Sequence, residues 1–181
     1  MGVEIKGMDR LASKVGKLSA ATREGTKKAI YEITQEVRGE AESNLQSSVK
    51  YATGELSGSI KDEIVKDSSD MITGRVFSDK RQAIFRELGT GPNGEKSKKE
   101  LPKGITPVYT QQAWFFPVES ALQDLTVLYG IPKIRIKGKM FYRTSGQPAR
   151  PFLYPALLSV QSRADEIYKR NISNELRKVV K

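Results

Sequence analysis

A proline-rich segment near the C-terminal end constrains the fold of this chain more than any other feature. Residues 147–156 contain Pro148, Pro151 and Pro155, which remove three amide donors and restrict the backbone to extended angles. Apolar residues then recur with a period near 3.6, at Leu153, Leu157, Val160, Ala164, Ile167, Ile172, Leu176 and Val179. The pattern predicts a stiff elbow, residues 147–154, that leads into one long, uninterrupted helix. Such an element is typical of docking and not of a catalytic loop.

A second helical pattern occupies the N-terminal part of the chain. Residues 9–45 place apolar side chains at helical spacing, as expected for a long amphipathic helix. Gly16 and Gly25 lie inside this pattern, and each costs about 1 kcal/mol relative to alanine in a helix. We therefore expect a break near residues 20–25, with a short helix before it and a long one after it.

Short strands and loops are expected between the two helical regions. Alternating residues in 59–66 and 71–78 predict a β-hairpin with one solvent-exposed face. Residues 82–88 predict a short helix that ends at Gly89, and the glycines, prolines and lysines of residues 91–110 predict a mobile loop.

The remaining segment reads as a strand, a helix and a second hairpin. Residues 113–118 predict an aromatic strand, and residues 119–129 predict a helix that stops at Gly130. Residues 133–137 and 139–144 flank Gly138 and predict a basic hairpin. The expected fold is α+β, with an antiparallel sheet of four to five strands packed against long N- and C-terminal helices.

Composition excludes several kinds of site. The chain of 181 residues is short enough to form a single domain over residues 1–181, with a basic, loop-rich insertion at about residues 91–146. The sequence contains no cysteine and no histidine, which removes thiolate nucleophiles, histidine bases and the usual zinc ligands. We expect no metal and no cofactor. No apolar run is long enough to span a bilayer, and residues 1–6 lack a signal-peptide core, so synthesis in a cytoplasm is expected.

Positive charge is concentrated in the middle of the chain. Residues 1–90 hold 15 basic and 14 acidic groups, whereas residues 91–150 hold 10 and 4. Residues 151–181 hold 6 basic and 3 acidic groups, which completes the net charge of +10. A basic surface of this kind can attract polyanions. The alternative interpretation is that the lysines serve only the solubility of the protein. The candidates for contact with DNA or with a protein partner are Lys98, Lys99, Arg135, Lys137 and Lys139.

Three motifs occur in a distinctive order along the chain. A Thr-Gly-x-Leu-x-x-Ser-Ile turn at residues 53–60 precedes an Ala-x-x-x-Glu-x-Gly-Thr segment at residues 83–90. An Ala-Arg-Pro-Phe-Leu-x-Pro-Ala segment follows at residues 149–156. Together with the N-terminal helix, this order resembles the head–tail joining, or tail-completion, family of long-tailed bacteriophages. The chain has Gln82 where that family usually carries an aromatic residue, and a longer stretch between Thr90 and Gln147.

The resemblance implies a structural role in the virion. Family membership would make the chain a neck subunit that forms a ring, expected to be hexameric, and that joins the tail to the DNA-filled head. The implied partners are a head-closure or connector protein, a tail terminator or tail-tube protein, and packaged DNA that passes without sequence recognition. Assembly would take place in the host cytoplasm, and no membrane is involved.

The candidate interface lies in the last two motifs. Its residues are Glu87, Gly89, Thr90, Arg150, Pro151, Phe152 and Tyr154. Arg150 is held between Ala149 and Pro151, so it could bond a partner or pin the elbow to its own fold. Glu87 could pair with Arg150 or with a backbone amide. For Gly89 we expect a positive φ or a close approach, and for Thr90 a side-chain bond to the turn.

Two further functions stay open at this point. Trp114, Phe115 and Phe116 must point to both faces of a strand, which favours core or subunit contact over stacking on nucleic acid. The basic middle nevertheless allows a cytoplasmic, sequence-independent nucleic-acid-binding module as the alternative function. A hydrolase that uses Glu87 or Asp79 would need a deep pocket and a carboxylate of raised pKa. We expect no enzymatic activity.

Overall fold

The computed structural model describes residues 7–47, 54–68 and 71–180. It divides the chain into two compact units, which are considered separately. The helical unit comprises Met1–Asp79 and Pro155–Lys181, and the basic unit comprises Lys80–Tyr154. Residues 1–6 and Thr53, on which two of the sequence predictions fall, lie outside the described residues. The expectation of a single domain stays a prediction.

One continuous helix dominates the helical unit. Helix α1 runs over Met8–Ser47, so the predicted break near residues 20–25 is wrong. The reason is tertiary, because Gly25 is buried where α1 meets helix α6 (Ala164–Val180). A Cβ atom at Gly25 would lie 2.7 Å from the Cα of Ile172. The missing side chain therefore allows the two helices to approach closely, which offsets the low helix propensity of glycine.

The C-terminal helical region is interrupted, contrary to the sequence prediction. It consists of α5 (Leu153–Gln161) and α6, separated by a turn at residues 162–163. The amide of Arg163 donates to the carbonyl of Val160, a bond one residue tighter than in an α-helix. The Arg163 guanidinium pairs with Glu36 and Glu40 of α1 at 3.2 and 3.3 Å. These two ion pairs tie the start of α6 to α1.

A two-stranded hairpin packs against α1, as predicted. Strands β1 (Ile60–Asp67) and β2 (Ile72–Ser78) are antiparallel, and the register shifts between Ile64 and Lys66. Gly74 of β2 faces α1, where an added Cβ would lie 2.4 Å from the Cγ2 of Thr34. Among the described residues of the helical unit, the buried apolar side chains are Ala29, Val37, Ala41, Leu45, Ile60, Ala156, Val160 and Ile167.

The basic unit contains short helices and one small sheet. Its helices are α2 (Arg81–Leu88), α3 (Gly91–Lys96) and α4 (Leu125–Tyr129). Its strands are β3 (Trp114–Pro117), β4 (Lys133–Ile136) and β5 (Lys139–Thr144). The sheet is antiparallel in the order β3-β5-β4. The predicted aromatic strand, basic hairpin and helix ending at Gly89 are thereby confirmed.

The fold is α+β, as predicted, but the strands form two sheets of two and three strands and not one sheet of four to five. Strand patterns indicate which residues alternate, but not which strands pair. Two local assignments are also wrong. The predicted loop begins with helix α3, and only residues 125–129 of the helix predicted over 119–129 are α-helical.

Candidate functional site

One carboxylate holds the elbow in place. The Glu87 side chain, on the last turn of α2, accepts hydrogen bonds from three successive backbone amides. Its Oε2 atom binds the amides of Phe152 and Leu153 at 2.7 and 3.0 Å, and Oε1 binds the amide of Tyr154 at 2.9 Å. Of the two partners proposed for Glu87, the structure shows the backbone amide.

This arrangement satisfies the start of α5. The first four amides of an α-helix have no intrahelical partner. Glu87 accepts three of them, and the fourth position is Pro155, which has no amide hydrogen. A carboxylate at a helix N-terminus is also stabilised by the helix dipole. The elbow and the first turn of α5 are therefore fixed by a residue about 65 positions earlier in the chain.

Backbone hydrogen bonds continue this attachment along the elbow. The amide of Arg150 donates to the carbonyl of Arg86 at 2.8 Å. The amide of Thr90 donates to the carbonyl of Gln147 at 2.9 Å, and the Thr90 hydroxyl accepts from the Gln147 amide at 3.1 Å. Thr90 thus forms a side-chain bond, but with the elbow at Gln147 and not with the turn as predicted. The segment is held at both its ends and in its middle.

Gly89 allows the two segments to approach this closely. Its φ is +76°, in the region that favours glycine. A Cβ at this position would lie 2.6 Å from the backbone nitrogen of Ala149 and 2.6 Å from the Cα of Gly94. Both expectations for Gly89, a positive φ and a close approach, are confirmed.

The predicted interface residues divide into supporting and exposed groups. Phe152 is buried, with 2% of its surface exposed, and Pro151 and Tyr154 are half-buried. Arg150 is exposed. The pKa of Arg86 is lowered first by the burial of Arg86 itself and then by the positive charge of Arg150. Glu87, Gly89 and Phe152 therefore shape the elbow, whereas Arg150 is exposed at its surface. Whether they contact another subunit stays a prediction.

The predicted basic contacts also divide into two kinds. Lys99 donates to the carbonyl of Gly94 at 2.6 Å and lies 5.0 Å from the ring centroid of Tyr109, so it serves its own loop. The Tyr109 hydroxyl in turn donates to the carbonyl of Leu88 at 2.9 Å. The other four candidates, Lys98, Arg135, Lys137 and Lys139, are exposed.

Sequence reasoning missed a polar cluster at the start of α4. Asp124 caps this helix by accepting from the Thr126 amide at 2.9 Å, and it forms an ion pair with Lys133 at 2.6 Å. The Lys133 bond and then the Thr126 amide lower the pKa of Asp124 to about 2. The hydroxyl of Tyr142, a core residue, donates to the same carboxylate at 3.2 Å. An Asp-x-Thr start ahead of an apolar run was the available signal.

The described residues provide neither a metal site nor a membrane span. Over 7–47, 54–68 and 71–180 no three acidic side chains come together in a way that could hold a metal ion. No helix within these ranges is both long and apolar enough to cross a bilayer. Comparisons with protein-family models, curated proteins and solved structures found no match to this chain.

Proposed function

We propose that this chain is a structural subunit of a bacteriophage neck, which assembles with copies of itself into a ring that joins the tail to the DNA-filled head. The resemblance of the three ordered motifs supports this class of protein. The observation that carries the proposal is the elbow, because the Glu87 carboxylate fixes a whole segment through three successive backbone amides. A preformed segment loses little conformational entropy when it docks on a neighbour.

The surface of the basic unit supports assembly as well. Three of its apolar side chains are buried, namely Tyr142, Ala149 and Phe152. Eleven large apolar side chains of this unit are exposed: Ile84, Phe85, Ile105, Val108, Trp114, Phe115, Leu122, Val127, Tyr129, Ile136 and Met140. The basic unit exposes more large apolar side chains than it buries, which makes it the better candidate for burial against a partner. We place the subunit contacts on the basic unit for this reason.

Ring closure needs two different surfaces on each subunit. Head-to-tail contacts are heterologous, and they form a closed ring when the rotation between neighbours closes. A segment of fixed geometry keeps that rotation the same at every contact. The elbow, with Arg150 at its surface, is one such segment, and the expected hexamer follows from the resemblance alone. The head-closure protein, the tail terminator or tube protein and passing DNA are the further partners proposed.

The test is assembly of the purified protein. Sedimentation and electron microscopy should show ring particles larger than the 20.2 kDa chain, alone or on tails of the phage that encodes it. Val127 is 81% exposed on α4 of the basic unit, and Val65 is 51% exposed on β1 of the helical unit. We expect Val127→Asp to reduce ring formation at least about tenfold, the effect of about 1.4 kcal/mol at each contact. Val65→Asp should leave it unchanged.

The opposite results are equally clear. A protein that remains a single chain, and that binds neither tails nor heads, would contradict the proposed function. Equal loss of assembly in Val65→Asp and Val127→Asp would show that the contacts are not confined to the basic unit. Circular dichroism of both variants checks that each has kept its fold.

A further inference from the structure

The three-stranded sheet of the basic unit has two faces of different chemistry. Directly opposite residues in an antiparallel pair share a face, and faces alternate along each strand. Phe116 and Lys133 both lie opposite Tyr142, which defines the inner face. Phe115 lies opposite Arg143. Phe141 lies two residues from Arg143 on β5 and therefore on the same side of the sheet, which we call the outer face. Lys139 and Ile136 form the next pair on that outer face.

The inner face is closed by its own side chains around Tyr142. Tyr142 is 1% exposed, and its ring centroid lies 5.4 Å from that of Phe116. Lys133 lies 5.7 Å from the Tyr142 ring and is neutralised by Asp124. The cation beside Tyr142 is therefore compensated by a carboxylate, whereas Arg135, which lies opposite Met140 on the same face, is exposed.

Within the described ranges, the positive charges of the outer face are not neutralised by carboxylates. Phe115 is 46% exposed, Lys139 and Arg143 are exposed, and Phe141 is half-buried between them. The three strands contain no aspartate or glutamate. In the part of the chain that the structure describes, neither Lys139 nor Arg143 forms an ion pair. This face thus combines aromatic rings with uncompensated positive charge.

The hairpin between β4 and β5 adds a third cation at its tip. The loop consists of Lys137 and Gly138, with φ values of +48° and +81°, as in a two-residue turn of the primed type. Lys137 is the one described residue other than glycine with positive φ. Asparagine or glycine would fit this position better, so the lysine occupies it at a cost in stability.

We propose that the outer face binds single-stranded nucleic acid without sequence preference. Phe115 and Phe141 would stack on bases, while Lys137, Lys139 and Arg143 would contact phosphates. Aromatic side chains on one face of an antiparallel sheet are a common platform for unstacked bases. Charge complementarity requires an anionic occupant. An acidic peptide offers no base rings to stack, and duplex DNA keeps its bases inside the helix. This inference goes beyond the neck role and does not depend on ring assembly, and it leaves the subunit contacts to the exposed apolar side chains outside this face.

The test is fluorescence anisotropy with a labelled oligothymidine of about 20 nucleotides. Three phosphate contacts predict a loss of about 20-fold in affinity between about 50 and about 200 mM salt, since the slope for single strands is about −0.7 per contact. Phe115→Leu should weaken binding at least about fivefold, the lower end of the effect of one stacked base. Phe85→Leu is the matched control, because Phe85 is 48% exposed on α2, outside the sheet.

A second pair of variants tests the charge contribution. Arg143→Ala should reduce the salt slope by about 0.7, whereas Lys17→Ala, an exposed lysine on α1, should leave it unchanged. Circular dichroism checks folding of each variant. The proposal is overturned if oligothymidine does not bind at about 50 mM salt. It is also overturned if polyglutamate or duplex DNA competes as well as the unlabelled oligothymidine while Phe115→Leu has no effect. In that case the face is a surface for anions in general.

Discussion

The two units of this protein are stabilised in different ways. In the helical unit, apolar side chains such as Ala29 and Val160 are fully buried, and ion pairs join elements that are distant in sequence. Lys28 of α1, for example, contacts Glu175 of α6 at 2.7 Å. In the basic unit, many large apolar side chains remain exposed, and backbone amides are fixed by single carboxylates, Glu87 and Asp124.

The two units also differ in net charge. The basic unit, Lys80–Tyr154, holds 13 basic and 5 acidic residues, a net charge of +8. The rest of the chain holds 18 and 16, a net charge of +2, and together these account for the total of +10. The difference teaches that the helical unit, over its described residues, buries about as many apolar side chains as it exposes, whereas the basic unit exposes far more than it buries and carries most of the net charge.

The largest expected effect concerns the carboxylate that holds the elbow. Glu87→Ala leaves three amides at the start of α5 without their acceptor, so we expect a loss of about 3 kcal/mol in the free energy of unfolding. Trp114, the single tryptophan, lies in the basic unit, so its fluorescence during denaturant unfolding measures the change there. Glu119→Ala, at an exposed position of the same unit, should stay within about 0.5 kcal/mol. Equal effects would show that capping does not stabilise the basic unit.

The next effect tests close packing in the helical unit. In Gly25→Ala, the new Cβ would meet the backbone of Ile172 at 2.7 Å, which cannot move like a side chain. We expect a loss of about 2 kcal/mol, measured by urea unfolding followed at 222 nm. Gly39→Ala, in the same helix with no atom within 4 Å of the new Cβ, should instead gain up to about 1 kcal/mol. Two gains would disprove the close helix contact.

The smallest effect concerns the acid sensitivity of the basic unit. The pKa of Asp124 is lowered to about 2, first by Lys133, so its ionised form is favoured in the folded state. Its contribution to stability is therefore present above the unfolded pKa of about 3.9 and is lost as pH falls from about 4 towards 2. Stability curves from Trp114 fluorescence should fall in this range, and Asp124→Asn should flatten that part of the fall.

The pH comparison has a counterpart in the helical unit. The Lys27 bond lowers the pKa of Asp67, so this group also contributes stability above its unfolded pKa and loses it in acid. Asp67→Asn should flatten the loss of stability at acid pH, measured by circular dichroism at 222 nm. If Asp124→Asn leaves the fluorescence curve unchanged, the Lys133 pair makes no contribution to the basic unit.

Much of the local structure was predictable from short-range pattern. Period-two alternation located both hairpins, and the apolar period of 3.6 located α1 and the beginning of α5. The positive φ of Gly89 followed from its place at the end of a short helix. The backbone amide was one of two partners considered for Glu87, and sequence alone offered no way to decide between them.

Tertiary structure decided the features that depend on residues far apart in the chain. Gly25 reads as a helix breaker, but contact with Ile172 makes the absence of its side chain favourable. The turn before α6 coincides with the pairing of Arg163 with Glu36, and no periodicity announces it. The amino-acid sequence by itself determined the long helical regions, the two hairpins and where charge accumulates, because these depend on neighbours in the chain. Strand pairing, the capping of α5 and the uncovered outer face of the sheet depend on three-dimensional approach, and only the folded chain decides that.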